Sequence, residues 1–443
     1  MKIVIAGAGE VGTHLAKLLS NERQDIIVID TDEKRLSNLD NYNLMTVVGS
    51  AISFESLKRV KAGDADIFIA VTPNETRNLL SCAMAKSMGA MRTVARVDND
   101  EFIDKRHKAF FLNQGVDHLI YPEHLAAKEV MTALEHTWVR NWFEMLGGAL
   151  IVVGVKLRDN AVIVGHKLKE LGNVSTFFHV SAIKRNREII IPGGDDTIMA
   201  NDIAYVATTR DYLQEVIKIC GKTQTHVERV VIMGGNDIAV QLAKRIGSRY
   251  KVKIIESDME RCRQLADLLP FCNIVNGVAS DTDIMEEESV NEYDVFVALS
   301  DSSESNILSC VMAKEMGVRK TIAEVENLQF INEAESLNIG TLINKKLIAS
   351  SRIFQIMLDN DVENSKCLAL ADAEVAELEV NEGAKVTRRM VKDLNLSHDM
   401  TIAGLVRDGV GHLVKGDTRL IAGDHVVVFC LSGAIHKVEK LFG

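Results

Sequence analysis

The sequence predicts an α/β protein with two tandem, doubly wound parallel sheets, each followed by a small α+β module. Three observations carry that reading. The chain repeats itself over half its length. Within each repeat, short apolar runs alternate with amphipathic ones. Each repeat then closes on a shorter stretch of Gly-Asp turns and apolar runs.

The repeat comes first, because it sets the layout. IVIAGAGEVGTHLAKLL near the start aligns with VVIMGGNDIAVQLAKRI from Val230, so Gly7 falls on Gly234 at an offset of 227. Leu80–Gly89 falls on Leu308–Gly317, and Thr93–Val97 on Thr321–Val325, at an offset of 228. A drift of one residue is what a changed loop produces, so the match is a tandem duplication. The tails agree too. Gly194–Asp202 and Gly416–Asp424 share the spacing G-D-x-x-[IL]-x-A-x-D, and an apolar run follows each.

Inside the first large module, the apolar runs at 2–6, 26–29, 45–48, 67–71, 93–97 and 116–120 read as strands. The amphipathic stretches 11–19, 33–39, 76–87 and 102–113 read as helices. Strands alternating with helices give a parallel sheet, and continuous apolar strands fit a sheet covered on both faces. The expected layout is a large module over 1–121, a joining helix over 122–145 and a small module over 146–222. It repeats as 227–344, 345–363 and 364–443. The joining helices are candidates for dimer contacts.

Composition narrows the function classes. Of 443 residues, 47% are hydrophobic and 26% charged, which is ordinary globular usage. The net charge of −11 makes a nucleic-acid partner a poor expectation, since that affinity comes mostly from neutralising phosphates. No apolar run approaches the ~20 residues a spanning helix needs. The start, MKIVIAGAGE, does not read as a signal peptide. Seven cysteines at irregular spacings, with no C-x-x-C pair, fit a reducing compartment. The expectation is a cytoplasmic protein.

The chemistry concentrates at Gly7-Ala8-Gly9-Glu10-Val11-Gly12, between a strand and a helix. In this G-x-G-x-x-G context Gly7 makes the tight turn, Gly9 admits a pyrophosphate and Gly12 allows close helix packing. The helix N-terminus offers amide donors and a positive dipole end. Asp30 ends the second strand, 18 residues after Gly12. An acid there bonds ribose hydroxyls and repels a 2′-phosphate, favouring NAD(H) or an adenine nucleotide. The expected sheet is therefore Rossmann-like. Ser50 and Ala51 end the third strand, on the adenosine side, and Thr72, Pro73 and Asn74 end the fourth. Arg96 stands in an otherwise apolar strand, where a guanidinium requires a ligand phosphate or an internal carboxylate. Arg77 reads as a solvated helix residue.

The second half keeps part of this site. Gly234 and Glu256 stand for Gly7 and Asp30. Asn236 replaces Gly9, Ala239 replaces Gly12, Ser300 replaces Thr72 and Glu324 replaces Arg96. The last change inverts the charge where an anion would sit. No catalytic residue, metal cluster, G-x-S-x-G or P-loop pattern appears. His14 reads as a helix-surface residue, and Cys82 and Cys310 as core thiols. A nucleotide-gated regulator, an NAD-dependent oxidoreductase and a purely structural partner all remain open on the residues alone.

The runs GAGEVG, VID at 28–30, AVTPNETRNLLSCAMAKSMGA at 70–90, VARV at 94–97 and GVDHLIYPEHLAAKEV at 115–130 resemble the RCK (KTN) domains that regulate potassium conductance. The G-D…A-x-D tails resemble the small C-terminal module of those domains. The resemblance covers essentially the whole chain, in two copies. It implies a non-enzymatic regulatory subunit, peripheral on the inner face of the cell membrane. Such a subunit binds NAD or NADH, and in some members ATP or ADP, in the Rossmann cleft. It assembles as a dimer or tetrameric ring under a membrane potassium-translocating subunit of Trk type. Gly7, Gly9, Gly12, Asp30, Thr72 and Arg96 match the family's nucleotide site. Ser50 departs from the family's usual Asp, and Asn236, Ala239 and Glu324 depart in the second copy.

Overall fold

Each apolar run of the first repeat becomes a strand; the central ones are buried on both faces, whereas Met45 and Val48 on the third stay exposed. A computed structural model describes residues 1–20, 24–171, 176–327, 329–337, 339–358, 367–370, 373–394, 396, 399–431 and 434–442. The chain divides into two compact units, one of residues 1–125 with 345–357 and one of 126–344 with 358–443. No described helix is long and apolar enough to cross a membrane.

The first unit is built on β1 (Lys2–Ala6), α1 (Glu10–Ser20), β2 (Asp25–Asp30), α2 (Glu33–Leu36), β3 (Met45–Val48), α3 (Phe54–Arg59), β4 (Ile67–Ala70), α4 (Glu75–Met88), β5 (Arg92–Arg96), α5 (Lys108–Asn113) and β6 (His118–Ile120). The strands pair in parallel in the order β3-β2-β1-β4-β5-β6. The order reverses between β1 and β4, the place where such sheets open a crevice. Ile3, Val4, Ile5, Phe68 and Ile69 are fully buried. Asp32, Ser53 and Asn74 cap the starts of α2, α3 and α4. The helix expected over 102–113 is shorter and begins at Lys108. Before it, Asn99 and Asp104 accept the main-chain N–H groups of Glu101 and Arg106, both at 2.9 Å, and such local bonds compete with helix.

The joining helix α6 is Pro122–Glu135 and does not extend to 145. Residues Asn141–Met145 form β7, paired antiparallel with β8 (Leu150–Lys156). No proline or glycine marks the helix stop. Thr137, Trp138 and Val139 favour extended backbone, and Gly147 at φ +66° lets the chain turn back into β8. The first small sheet therefore begins at Asn141, ahead of the expected 146. It is completed by β9 (His179–Arg185), β10 (Glu188–Ile190) and β11 (Ile203–Thr208), in the order β10-β9-β11-β8-β7, and followed by α7 (Leu213–Ile219).

The second unit then repeats the parallel sheet. Its elements are β12 (Arg229–Met233), α8 (Asp237–Ile246), β13 (Lys251–Glu256), α9 (Met259–Leu268), β14 (Asn273–Asn276), α10 (Thr282–Glu287), β15 (Val295–Ala298), α11 (Ser303–Glu315), β16 (Lys320–Glu324), α12 (Gln329–Ser336) and β17 (Thr341–Ile343). The order β14-β13-β12-β15-β16-β17 matches the first sheet strand for strand. α13 (Lys345–Leu358) follows, and its residues 345–357 belong to the first unit. Residues 359–363 of the expected joining helix lie outside the described residues. The second small sheet holds β18 (Cys367–Leu370), β19 (Ala373–Glu379), β20 (Met400–Arg407), β21 (Val410–Leu413) and β22 (His425–Leu431), closed by α14 (Ile435–Phe442). Its order is β18-β19-β22-β20-β21. The two small sheets share a core in which Leu150, Val152 and Tyr205 meet Val375, Val427 and Phe429.

Two repeated features have structural causes. The last Asp of each tail motif is almost fully buried and receives a forked guanidinium. Arg185 reaches Asp202 at 2.9 and 2.8 Å, and Arg407 reaches Asp424 at 2.7 Å twice. Each Asp also accepts a main-chain N–H three residues earlier, from Met199 and Ile421. The motif is a staple for the small sheet. A cation also opens the fifth strand of both parallel sheets. Arg92 donates to the carbonyls of Ile356 and Met357 near the end of α13, at 2.5 and 3.1 Å. Lys320 donates to the Val139 carbonyl and the Thr341 hydroxyl, at 2.7 and 2.8 Å.

Candidate nucleotide-binding cleft

The first cleft opens where β1 meets α1. Gly7 sits at φ +109°, a region that side chains avoid, and its N–H donates to the Ile29 carbonyl at 2.8 Å. A Cβ on Gly12 would lie 1.9 Å from the Gly7 oxygen, so α1 packs hard against the turn. A Cβ on Gly9 would meet nothing within 4 Å. The turn is therefore closed on one side and open on the other. No side chain caps α1 among the described residues, which leaves its first amides available to an anion.

Asp30 is positioned by the turn itself. One carboxylate oxygen accepts the Ala8 N–H at 2.6 Å and the other the Asp32 N–H at 2.9 Å. Each oxygen keeps a lone pair for a further donor. Ser50 and Ala51 lie in the turn after β3, where the Ser50 hydroxyl accepts the Ile52 N–H at 3.4 Å. Thr72 lies just past β4, with both its N–H and its hydroxyl donating to the Asn78 side-chain oxygen, at 2.9 and 2.6 Å. Pro73 is exposed, and the Asn74 side chain is turned to cap α4 through the Arg77 N–H at 2.8 Å. Arg77 itself is exposed.

The Arg96 question resolves into an ion pair. Its guanidinium lies 3.6 Å from Glu123, in the first turn of α6, and the Lys345 ammonium lies 3.8 Å from the same carboxylate. Glu123 is 9% exposed, and its second oxygen has no hydrogen-bond partner. Arg96 thus has the internal carboxylate that burial demands. Lys346 pairs with Glu10 of the glycine turn at 2.7 Å.

Sequence reading passed over four residues: Asn78, Asn306, Lys345 and Lys346. Asn78 is 1% exposed and ties the end of β4 to the end of β5, donating to the Thr72 and Arg96 carbonyls at 2.9 Å each. Asn306 does the same in the second sheet, on Ser300 and Glu324. A signal existed, since an asparagine recurs at an offset of 228, just before the repeated Leu-Ser-Cys run of each helix. Lys345 and Lys346 had none, being far from the motif in sequence.

The second cleft has been rebuilt. Gly234 keeps the left-handed turn at φ +90°, and Glu256 accepts the Gly235 N–H at 2.6 Å, as Asp30 does for Ala8. A cavity of about 460 Å³ is lined by Gly234, Gly235, Glu256, Asp258 and Arg261 among others. Its helix N-terminus is already capped, because the Asn236 side chain accepts the Ala239 N–H at 3.1 Å. The Asn236 amide donates to Glu324, which is 2% exposed, at 3.2 Å. Asn236 thus bonds both the helix start and the end of the fifth strand of this sheet.

The two equivalent helix cysteines are core thiols. Cys82 and Cys310 are fully buried and donate to the Val94 and Ile322 carbonyls. Burial raises both thiols, Cys310 to about 12. His14 is half-buried on α1, and burial, then Lys17 and Lys346, lower its affinity for a proton.

The TrkA-N domain model matches residues 3–122 and 230–345, and the TrkA-C domain model matches 152–221 and 375–443. The chain is 31% identical over 454 residues to the Trk system potassium uptake protein TrkA of Halomonas elongata, covering 100% of this chain and 98% of that protein. It is 30% identical over 451 residues to TrkA homolog 2 of Methanosarcina mazei, covering 100% of both. Among solved structures, the GsuK RCK domain shares the fold with a TM-score of 0.61 at 12% identity, covering 100% of this chain and 94% of that one. The GsuK channel bound to NAD gives 0.61 at 12% identity, covering 100% of this chain and 78% of that one. GsuK bound to ADP gives 0.51 at 10% identity, covering 81% and 70%. With paired TrkA-N and TrkA-C domains along its length and full-length relatives of the same layout, the chain belongs to the TrkA family of potassium uptake proteins.

Proposed function

We propose that the chain is a regulatory subunit of a potassium uptake system, and that a nucleotide in the first cleft sets its state. The family is one of regulatory subunits rather than enzymes, which decides against the oxidoreductase reading. The observation that carries the nucleotide proposal is the open, uncapped glycine turn. Gly9 faces space, no side chain among the described residues caps α1, and Asp30 stands beside the turn with lone pairs to spare.

The residues divide the work. The main chain of Gly7 to Gly12, with Ala8, Glu10 and Val11 between, holds a pyrophosphate or polyphosphate against the α1 N-terminus. Asp30 accepts ribose hydroxyls. Ser50 and Ala51 border the adenosine, and Thr72, Pro73 and Asn74 border the middle of the ligand. Arg96 adds positive charge from the end of β5. The ligand is NAD, NADH, ATP or ADP. In the second half Gly234 retains the turn and Glu256 the acid that faces the ribose, while Asn236 and Glu324 disfavour the phosphates.

A ligand moves a conformational equilibrium only by binding its two states unequally. Nucleotide in the cleft favours one arrangement of a homo-oligomeric ring at the inner face of the cell membrane, and that arrangement gates a Trk-type membrane subunit. Potassium uptake by cells expressing the chain with its membrane partner tests this. Gly9→Asp puts a carboxylate into the phosphate space without crowding the fold. The expected outcome is loss of nucleotide-dependent uptake in Gly9→Asp and in Arg96→Ala. Unchanged uptake and unchanged nucleotide binding in both variants would overturn the proposal.

A further inference from the structure

The first cleft is not made by the first repeat alone. α13 follows β17 of the second repeat, yet its first turn lies against the glycine turn of the first. Lys346 has a side chain 11% exposed, and its ammonium is 2.7 Å from Glu10. Glu10 occupies the first turn of α1 and is itself 70% exposed. Lys345, the preceding residue, approaches Glu123, the carboxylate that also holds Arg96. Among the described residues, Lys346 pairs with Glu10 of the glycine turn, and Lys345 and Arg96 share Glu123.

That arrangement has an electrostatic consequence. Glu10 places a negative charge where the bare helix N-terminus would draw phosphates, and Lys346 neutralises it. An arriving phosphate and Glu10 compete for the same ammonium. The gain from that exchange grows with the phosphate charge, because a mostly shielded lysine interacts more strongly than a solvated one. A dinucleotide brings one pyrophosphate, with two charges. A nucleoside triphosphate brings more charge and ends in a free phosphate that can extend beyond the turn.

Building on the reading of the first cleft as a nucleotide site, we propose that Lys346 is a phosphate-sensing residue of that cleft, contributed by the second repeat. Released from Glu10, it selects a nucleoside triphosphate over a nicotinamide dinucleotide. The same residue reports occupancy to the second repeat by covalent continuity. Asn344 is fixed to the end of the second sheet, its amide donating to the carbonyls of Val325 and Glu326 at 2.7 and 3.2 Å. Lys346 is two residues further along the chain.

The test is calorimetric titration of the full chain with ATP and with NADH, in wild type, K346Q, K346R, E10Q and D30A. Loss of one charge-assisted contact to phosphate predicts ATP binding about tenfold weaker in K346Q. NADH binding is expected to weaken much less in the same variant. K346R keeps the charge and restores the preference for ATP. E10Q removes the competitor and tightens ATP. Wild-type affinity for both ligands in K346Q, with both lost in D30A, would overturn the inference while leaving the cleft a nucleotide site. Equal weakening of both ligands in K346Q would overturn the selectivity. No binding of either ligand by wild type would overturn the nucleotide reading itself, and this inference with it.

Discussion

Single residues decide what the glycine turn tolerates. Gly9 and Gly12 belong to one motif but meet different surroundings. A methyl on Gly12 would press on the Gly7 oxygen, whereas one on Gly9 points into open space. Gly12→Ala should destabilise the first unit by about 1–3 kcal/mol, as overpacking does. Gly9→Ala should leave stability within about 0.5 kcal/mol. Urea unfolding of the two variants against wild type checks both values. Equal losses would mean that the turn is closed on both sides. The sequence allowed these roles to be assigned, because the spacing of the glycines encodes the turn. It did not reveal the partner of Arg96. Both a phosphate and a carboxylate satisfy a half-buried guanidinium, and Glu123 reaches it only once α6 is folded beside β5.

At the level of elements, the two joining helices show where local pattern stops informing. The expected helix to 145 fails because apolar residues continue past Glu135 without a breaker, and pairing with β8 then decides the conformation of 141–145. The cations that open β5 and β16 were not read from sequence either. Arg92 and Lys320 make sense only beside the carbonyls they bind. Lys320 is buried, and burial, then Arg140, Lys314 and Lys222, bring its ammonium down to about 7. Its folded value thus lies below its unfolded one. Between about pH 7 and 10 the unfolded chain holds a proton that the fold does not, so this residue's contribution to stability rises with pH. The limit is about 1.4 kcal/mol per pH unit. Urea unfolding of wild type and Lys320→Met at pH 7 and pH 9 isolates that contribution, because other titrating groups cancel in the comparison. The wild type should gain on the variant as pH rises. A constant difference would mean that Lys320 stays charged in the fold.

The whole molecule is a duplication whose halves have diverged at the site and not in the scaffold. Strand order, the buried asparagine clamp and the arginine–aspartate staple are kept in both copies. These features were legible, or lay one alignment away, because packing constrains both copies alike. The positions of the glycine turn and of Arg96 differ. An open glycine and an arginine in the first copy become a capping asparagine and a buried glutamate in the second. What the sequence did not reveal is that α13 of the second repeat reaches the glycine turn of the first, since no local signal links Lys346 to Glu10 across most of the chain.

Asymmetry between the clefts is the central claim, and binding stoichiometry tests it most directly. Calorimetric titration of the full chain with NADH, NAD, ATP and ADP should give about one site per chain for the ligands that bind, and Gly9→Asp should abolish that site. Two equivalent sites per chain, or one site that survives Gly9→Asp, would contradict the account.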